Sequence, residues 1–265
     1  AIVFNYNPQG SMAAMGYISA RLVMGNVLDR IMNFSLWSGI SPLLFADNKG
    51  QSVLYASAGI SDALGRGAVI SSGYKNGLFV MPYLNKTKAR DLGFDSDIAG
   101  FQIGYEGKVT DSLALGIFGG YGKGDVDFRG PYSGNSEDQK YHNAGLYAAY
   151  KMDKLFGQLL MAYWSVDHDY SGLTGLNLTL RETANYDSRA FHTRLTGGYK
   201  ADIGKDLYLI PSVGLQYTYW KTDSYTTSSA SDPSWNKYFD KTTDNLFTVT
   251  VGLNMLKEWR KDDTK

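Results

Sequence analysis

The sequence predicts an all-β fold, an antiparallel transmembrane β-barrel with an N-terminal α-helix in or near its lumen. Three observations lead there. Period-two alternation of apolar with small or polar residues recurs about eight times from Asn76 onward. The predicted strands run roughly 10 to 15 residues, against about 5–6 in soluble sheets, which suits a tilted membrane span. Connections near 107–112, 151–155 and 202–206 are short, whereas those near 124–140, 171–185 and 222–243 are long and polar. Membrane barrels have that asymmetry, with short periplasmic turns and longer extracellular loops.

Residues 1–75 read as a linker and residues 76–265 as barrel strands. Within the linker, Ser11 to Asn33 has good helix formers, no Pro, and Ser11 as its N-cap. Met15, Ile18 and Leu22 fall at helical spacing, while Arg21, Asn26, Asp29 and Arg30 interrupt the apolar surface. Such a helix needs surroundings that are part apolar and part polar. Ile40 to Lys75 is Gly- and Ser-rich and weakly patterned, a connector with room for one short strand or turn.

The strands follow in order. Gly77–Lys88 is the first. In Ser96–Val109, Ala99, Phe101, Ile103 and Tyr105 oppose Gly100, Gln102, Gly104 and Glu106. In Leu113–Phe128, Leu113, Leu115, Ile117 and Tyr121 oppose Ala114, Gly116, Gly120 and Gly122. Lys140–Met152 and Leu155–Tyr170 alternate less cleanly. In Phe191–Ala201, Phe191, Leu195 and Tyr199 oppose His192, Arg194, Thr196 and Gly198. Leu207–Tyr219 sets Val213, Leu215 and Tyr217 against Ser212, Gly214, Gln216 and Thr218, and Leu246–Leu256 sets Val249, Val251 and Leu253 against Thr250, Gly252 and Asn254.

A soluble sandwich also alternates, so the faces must be told apart. Tyr105, Tyr121, Tyr217 and Tyr219 lie near strand ends on the apolar faces, as an aromatic girdle would, and Tyr163, Trp164 and Tyr170 read as part of the same belt. The apolar face therefore meets lipid. Gly100, Gln102, Glu106, His192, Arg194 and Gln216 are then lumen-facing.

Composition narrows the rest. With 26 basic and 26 acidic residues there is no basic footprint for nucleic acid, and the absence of Cys removes disulfide and thiolate chemistry. The 30 Gly and 20 Tyr against 6 Pro are the usage of a bacterial membrane barrel. No stretch approaches the ~18 consecutive apolar residues of a membrane helix.

The order of elements carries a resemblance. A helical segment ending in Val27–Ile31 leads through a Gly-rich connector to a first strand (Gly77–Leu84). There follow a Gly-Phe-x-x-Gly-Tyr strand (Gly100–Tyr105), a Leu-Gly-x-x-Gly-Gly-Tyr strand (Leu115–Tyr121) and a Gly-Leu-Tyr-x-x-Tyr strand (Gly145–Tyr150). A last motif joins Leu209, Pro211, Leu215 and Tyr217. Over residues 11–259 this resembles the autotransporter β-domain family. The resemblance implies a barrel of about twelve strands in the bacterial outer membrane, threaded by the helix 11–33, that exports and anchors an N-terminal passenger in type V secretion. Its partners would be outer-membrane lipid, the barrel-assembly machinery and the passenger in cis, with no cofactor. Arg21, Asn26, Asp29 and Arg30 would meet polar groups of the lumen.

About eight strands are visible where the family has more, and the chain ends on a charged tail, Lys257 to Lys265. A barrel of about eight strands is filled by its own side chains and cannot hold a helix roughly 10 Å across. The expectation is that further C-terminal strands complete the wall.

Catalytic chemistry is sparse. The three His, His142, His168 and His192, lack partners at metal-ligand spacing, and no catalytic or metal site is expected. Two other readings stay open: an outer-membrane protease of the omptin type using Asp167 and His168 at a barrel rim, and a porin-like or surface-binding barrel. Self-cleavage within the helix, with Asn26 as nucleophile and Glu106 as acidic helper, is a further option.

Overall fold

The computed structural model describes residues 68–71, 76–89, 93–175, 178–204 and 207–257. The expected helix 11–33, with Arg21, Asn26, Asp29 and Arg30, lies outside the described residues. A short strand, β1 (Ala68–Ser71), falls in the connector and pairs with β2 (Asn76–Ala89). From there the chain is an up-and-down meander. It continues through β3 (Phe94–Lys108), β4 (Leu113–Phe128), β5 (Ser136–Met152), β6 (Leu155–Thr174) and β7 (Leu180–Tyr199). A short strand β8 (Ala201–Gly204) pairs with β9 (Leu207–Thr222). A small hairpin, β10 (Tyr225–Thr227) with β11 (Lys237–Phe239), precedes β12 (Thr242–Lys257), which pairs back on β9. The main sheet has ten strands, all antiparallel, and the eight long ones are those the alternation predicts. β1 and β12 are its edges among the described residues.

Each long strand buries one face and exposes the other, and the burial is inverted relative to a water-soluble sheet. The exposed face carries Phe101, Ile103 and Tyr105 on β3, Leu115 and Ile117 on β4, and Leu146 and Tyr150 on β5. It continues with Met161 and Tyr163 on β6, Phe191 and Leu195 on β7, Val213, Leu215 and Tyr217 on β9, and Phe247, Val249 and Val251 on β12. The buried face of the same segments carries Gln102, Glu106, Asn143, His192 and Thr218 among small residues and aromatics. A band of exposed large hydrophobics this continuous is stable only against lipid. Register aligns the aromatics: Tyr163 pairs with Phe191, Phe191 with Tyr219, and Phe101 with Tyr121. Tyr105, Tyr150 and Tyr199 mark the opposite border. From Phe191 to Tyr199 the strand rises roughly 26 Å at ~3.3 Å per residue, enough to cross the hydrocarbon once tilted.

Beyond the Phe101–Tyr219 border the alternation keeps its phase but the two faces exchange polarity. Outward positions become Asp95, Asp97, Lys123, Asp125, Asp127, Asp138, Lys140, Asp167, Asp187 and Arg189, while Phe94, Val126, Phe128, Tyr132, Tyr170, Ala184 and Tyr186 pack together on the buried face. That is the pattern of a sheet in water. The strands therefore stand well clear of the membrane on the long-loop side. This corrects three expected loops. Segments 124–128 and 136–140 belong to β4 and β5, 171–174 to β6, and 180–185 to β7, leaving 129–135 as the connection between β4 and β5. The third, 222–243, contains β10, a 3₁₀ turn at Pro233–Trp235 capped by the Asp232 side chain, and β11. The polar residues that suggest loop are the wet face of a strand. The expected aromatic belt is corrected as well. Tyr163 faces outward, but Trp164 and Tyr170, an odd number of positions away, are buried on the other face.

Candidate functional site on the buried face

Cross-strand register sorts the buried face into rows, each a line of successive backbone partners across the sheet. In the lowest informative row Glu106 (β3), Gly116 (β4), Tyr147 (β5), Leu160 (β6), Arg194 (β7) and Gln216 (β9) are successive partners. Glu106 is buried, whereas Arg194 and Gln216 are half-buried. Three residues singled out from the sequence, spread over more than a hundred positions, thus share one cross-strand row. One row above, His192 pairs with Thr218, and its Nδ1 lies 2.9 Å from the Thr218 hydroxyl. The next row is Gln102, Gly120, Asn143, Trp164, Ala190 and Trp220. Gly100 belongs to the row after that, with Gly122 beside it, and both are covered by the Tyr83 ring. A Cβ at either glycine would overlap the Tyr83 ring or its hydroxyl. The wall is not purely polar. Phe118, Leu160, Trp164, Val166 and Trp220 join it, and Gly145 leaves room for the Phe118 ring as Gly116 does for Tyr147.

Higher still, clear of the membrane, is a cluster that sequence reasoning missed. Glu137 on β5 is buried, 2.6 Å from Nδ1 of His168 on β6, and accepts hydrogen bonds from Tyr186 (2.6 Å) and from the Gln139 amide (2.5 Å). Tyr141 donates to Gln139. Burial pushes the Glu137 carboxyl upward. The charge and hydrogen bond of His168, with the bonds from Tyr186 and Gln139, outweigh it and hold the group below the ordinary carboxylate range. Burial, reinforced by the Glu137 charge, drives the Tyr186 hydroxyl well above the usual tyrosine value. Four rings stack across adjacent strands from this pair: His168–Tyr186 at 4.3 Å, Tyr186–Tyr225 at 4.3 Å and Tyr225–Phe239 at 4.8 Å. Only the β5–β6–β7 register brings these residues together, and no local motif announces it.

The omptin-type reading of Asp167 with His168 is overturned by this geometry. Consecutive strand residues point to opposite faces, so Asp167 is exposed beside His142 at 3.9 Å, while His168 is buried on Glu137. The two cannot activate one water. Among the described residues, no three His, Asp or Glu side chains converge as a metal would require.

Residues 79–265 match the family described as Autotransporter beta-domain. The chain is 25% identical over 163 residues to "Outer membrane protein A" of Rickettsia conorii (strain ATCC VR-613 / Malish 7), an alignment taking in 57% of this chain and 8% of that protein. The protein of the same description from Rickettsia rickettsii is also 25% identical, over 57% of this chain and 7% of its own length. The chain thus spans less than a tenth of the curated relatives it matches. Among solved structures, the fold is similar to the translocator domain of autotransporter NalP from Neisseria meningitidis, with TM-score 0.57, 13% identity, and coverage of 69% of this chain and 63% of that one. It is also similar to the beta domain of the Bordetella autotransporter BrkA, with TM-score 0.51, 19% identity, and coverage of 68% and 70%. The lipid-facing band and the open meander are accordingly the wall of a β-barrel in the bacterial outer membrane, and this chain belongs to the autotransporter beta-domain family.

Proposed function

We propose that this chain is the translocator and anchor of an N-terminal passenger, with segment 11–33 lodged as a helix in the lumen. The observation that carries the reading is the row holding Glu106, Arg194 and Gln216 inside an apolar outer band. A wall with lipid outside and separated charges of both signs inside suits a polar occupant. The segment 11–33 supplies matching groups in Arg21, Asn26, Asp29 and Arg30. Gly100, Gln102, Glu106, His192, Arg194 and Gln216 line that lumen. Unpaired strand edges are not tolerated in hydrocarbon, so strands outside the described residues close the wall between β1 and β12. Outer-membrane lipid and the barrel-assembly machinery are the partners this architecture calls for.

Deleting residues 11–33 should convert a mostly closed barrel into an open, conducting pore in planar bilayers. The passenger should then fail to remain tethered in the lumen. A deletion variant with unchanged conductance would sink the plug, and one that conducts while the intact protein also conducts would favour a porin-like channel.

A further inference from the structure

The row above His192 has a property the rows beside it lack. Gln102 and Asn143 are both buried, and neither amide nitrogen nor amide oxygen of either has a hydrogen-bond partner among the described residues. Trp164, three strands from Gln102 and next to Asn143 in register, is fully buried with its indole N–H unpartnered. Tyr83, one row up, has its hydroxyl in the same state. Trp220, farther along the row, differs, because its indole N–H reaches the Thr222 hydroxyl at 3.2 Å. A buried amide with neither half satisfied is disfavoured, and most folds remove such groups or pair them. Here two stand side by side across Gly120, whose missing side chain lets the Gln102 amide lie over β4 toward Asn143.

The chemistry of these groups defines what would satisfy them. A side-chain amide offers one face that donates and one that accepts, the same complement as a peptide group. The indole adds a donor. No charged side chain stands on the strands that carry Gln102, Asn143 and Trp164 at this row; Asp244 on β12, the partner of Trp220, is exposed and three strands beyond Trp164. The Glu106–Arg194 row, which is charged, lies two rows toward the short-turn end. Toward the other end the wall closes into the apolar cluster of Phe94, Phe128, Tyr170 and Tyr186.

We propose that Gln102, Asn143 and Trp164 form a neutral hydrogen-bonding rung that binds the backbone of a polypeptide crossing the lumen, whatever its sequence. The proposal rests on the translocator reading. A rung of amides would replace the water a moving peptide group loses, and would release it at low cost because the next peptide group presents the same pair of partners.

The test uses the whole chain, fused after two epitope-tagged passengers of unrelated, unstructured sequence and expressed in the outer membrane of a Gram-negative host. Surface exposure is timed by protease accessibility after a pulse. Barrel assembly is followed by heat-modifiable gel migration and by the thermal midpoint in detergent. In Gln102→Met with Asn143→Leu, which replaces both amides by apolar groups of similar size, exposure of both passengers should slow several-fold and to the same degree. The thermal midpoint should hold or rise, since the replaced groups were unsatisfied. Trp164→Phe, which removes only a donor, should slow both passengers less and serves if the double variant does not insert. The exchange Gln102→Asn with Asn143→Gln should retain most of the rate. An unchanged rate in the assembled apolar variant, a slowdown confined to one passenger, or a fall in stability that accounts for the slowdown would overturn the rung. A wild-type barrel that inserts but exposes neither passenger would refute the translocator reading itself, and the rung with it.

Discussion

Removing the imidazole of His168 would leave the Glu137 carboxylate buried with hydrogen bonds from Tyr186 and Gln139. Breaking one side of a buried pair costs about 3 kcal/mol or more, because the remaining charge has lost its solvent as well as its partner. His168→Leu should therefore loosen the extracellular end and make it protease-sensitive at neutral pH. A variant as resistant as wild type would contradict this account of the pair. The pH dependence has a definite sign. Glu137 titrates lower in the folded chain than when unfolded, so its contribution is present above the ordinary carboxylate value of about 4.3 and is lost as pH falls through the depressed one. Tyr186 is shifted the other way. Its contribution is complete below about pH 10 and is lost as pH rises past that. Protease resistance of the extracellular end should thus hold through neutral pH and fall at both extremes. Inside the membrane the sensitive residues are small ones. A Cβ on Gly116 would overlap the buried Tyr147 ring, so Gly116→Ala should lower stability by about 1–3 kcal/mol. Urea unfolding of Gly116→Ala in a Tyr147→Ala background should recover most of that loss, since the ring is what the methyl meets.

Among the elements, the β10–β11 hairpin is the piece whose attachment can be named. It is held by the ring stack through Tyr225 and by paired backbone hydrogen bonds between Thr183 and Ser228, at 3.0 and 2.8 Å. Stacked aromatic pairs contribute roughly 0.5–1.5 kcal/mol each beyond their burial, and Tyr225 takes part in two. Tyr225→Ala should raise hydrogen exchange at the Thr183 and Ser228 amides by tenfold or more and leave heat-modifiable migration of the barrel unchanged. If exchange there did not move, the stack would not be what pins the hairpin. The same elements mark where the sequence was readable and where it was not. Leu113–Phe128 is legible to the residue, because outward Leu115 and Ile117 alternate with inward Gly116 throughout the membrane. Asp125 and Asp127 look like loop residues by composition, yet they are the wet face of the same strand once lipid gives way to water. Glu137 and His168 lie 31 positions apart, and their meeting depends on a β5–β6 register that alternation does not specify. Glu106, Arg194 and Gln216 are recognisable as inward residues by phase alone, but their common row emerges only from five successive pairings.

At the scale of the whole molecule the central claim is that the sheet is inside out, and adjacent residues test it. Leu195 and Thr196 sit midway along the β7 span, at one depth and on opposite faces, with Leu195 exposed on the apolar side and paired with Leu215. If the apolar band meets lipid, Leu195→Arg places a charge near the bilayer midplane and should cost about 2–4 kcal/mol. Thr196→Arg places the same charge in the interior, close to where Arg194 already stands, and should cost less than about 1 kcal/mol. Equilibrium folding into lipid vesicles measures both. A soluble sheet gives the reverse order, because an exposed arginine is harmless in water while a buried one is not. Refolding in water alone provides the complementary arm. With Phe101, Ile117, Leu195, Val213 and Val251 all facing outward, the chain should aggregate unless lipid or detergent covers that band. The two arms need to agree, since a protein that stays monodisperse in water and tolerates Leu195→Arg would have its lipid-facing surface wrongly assigned.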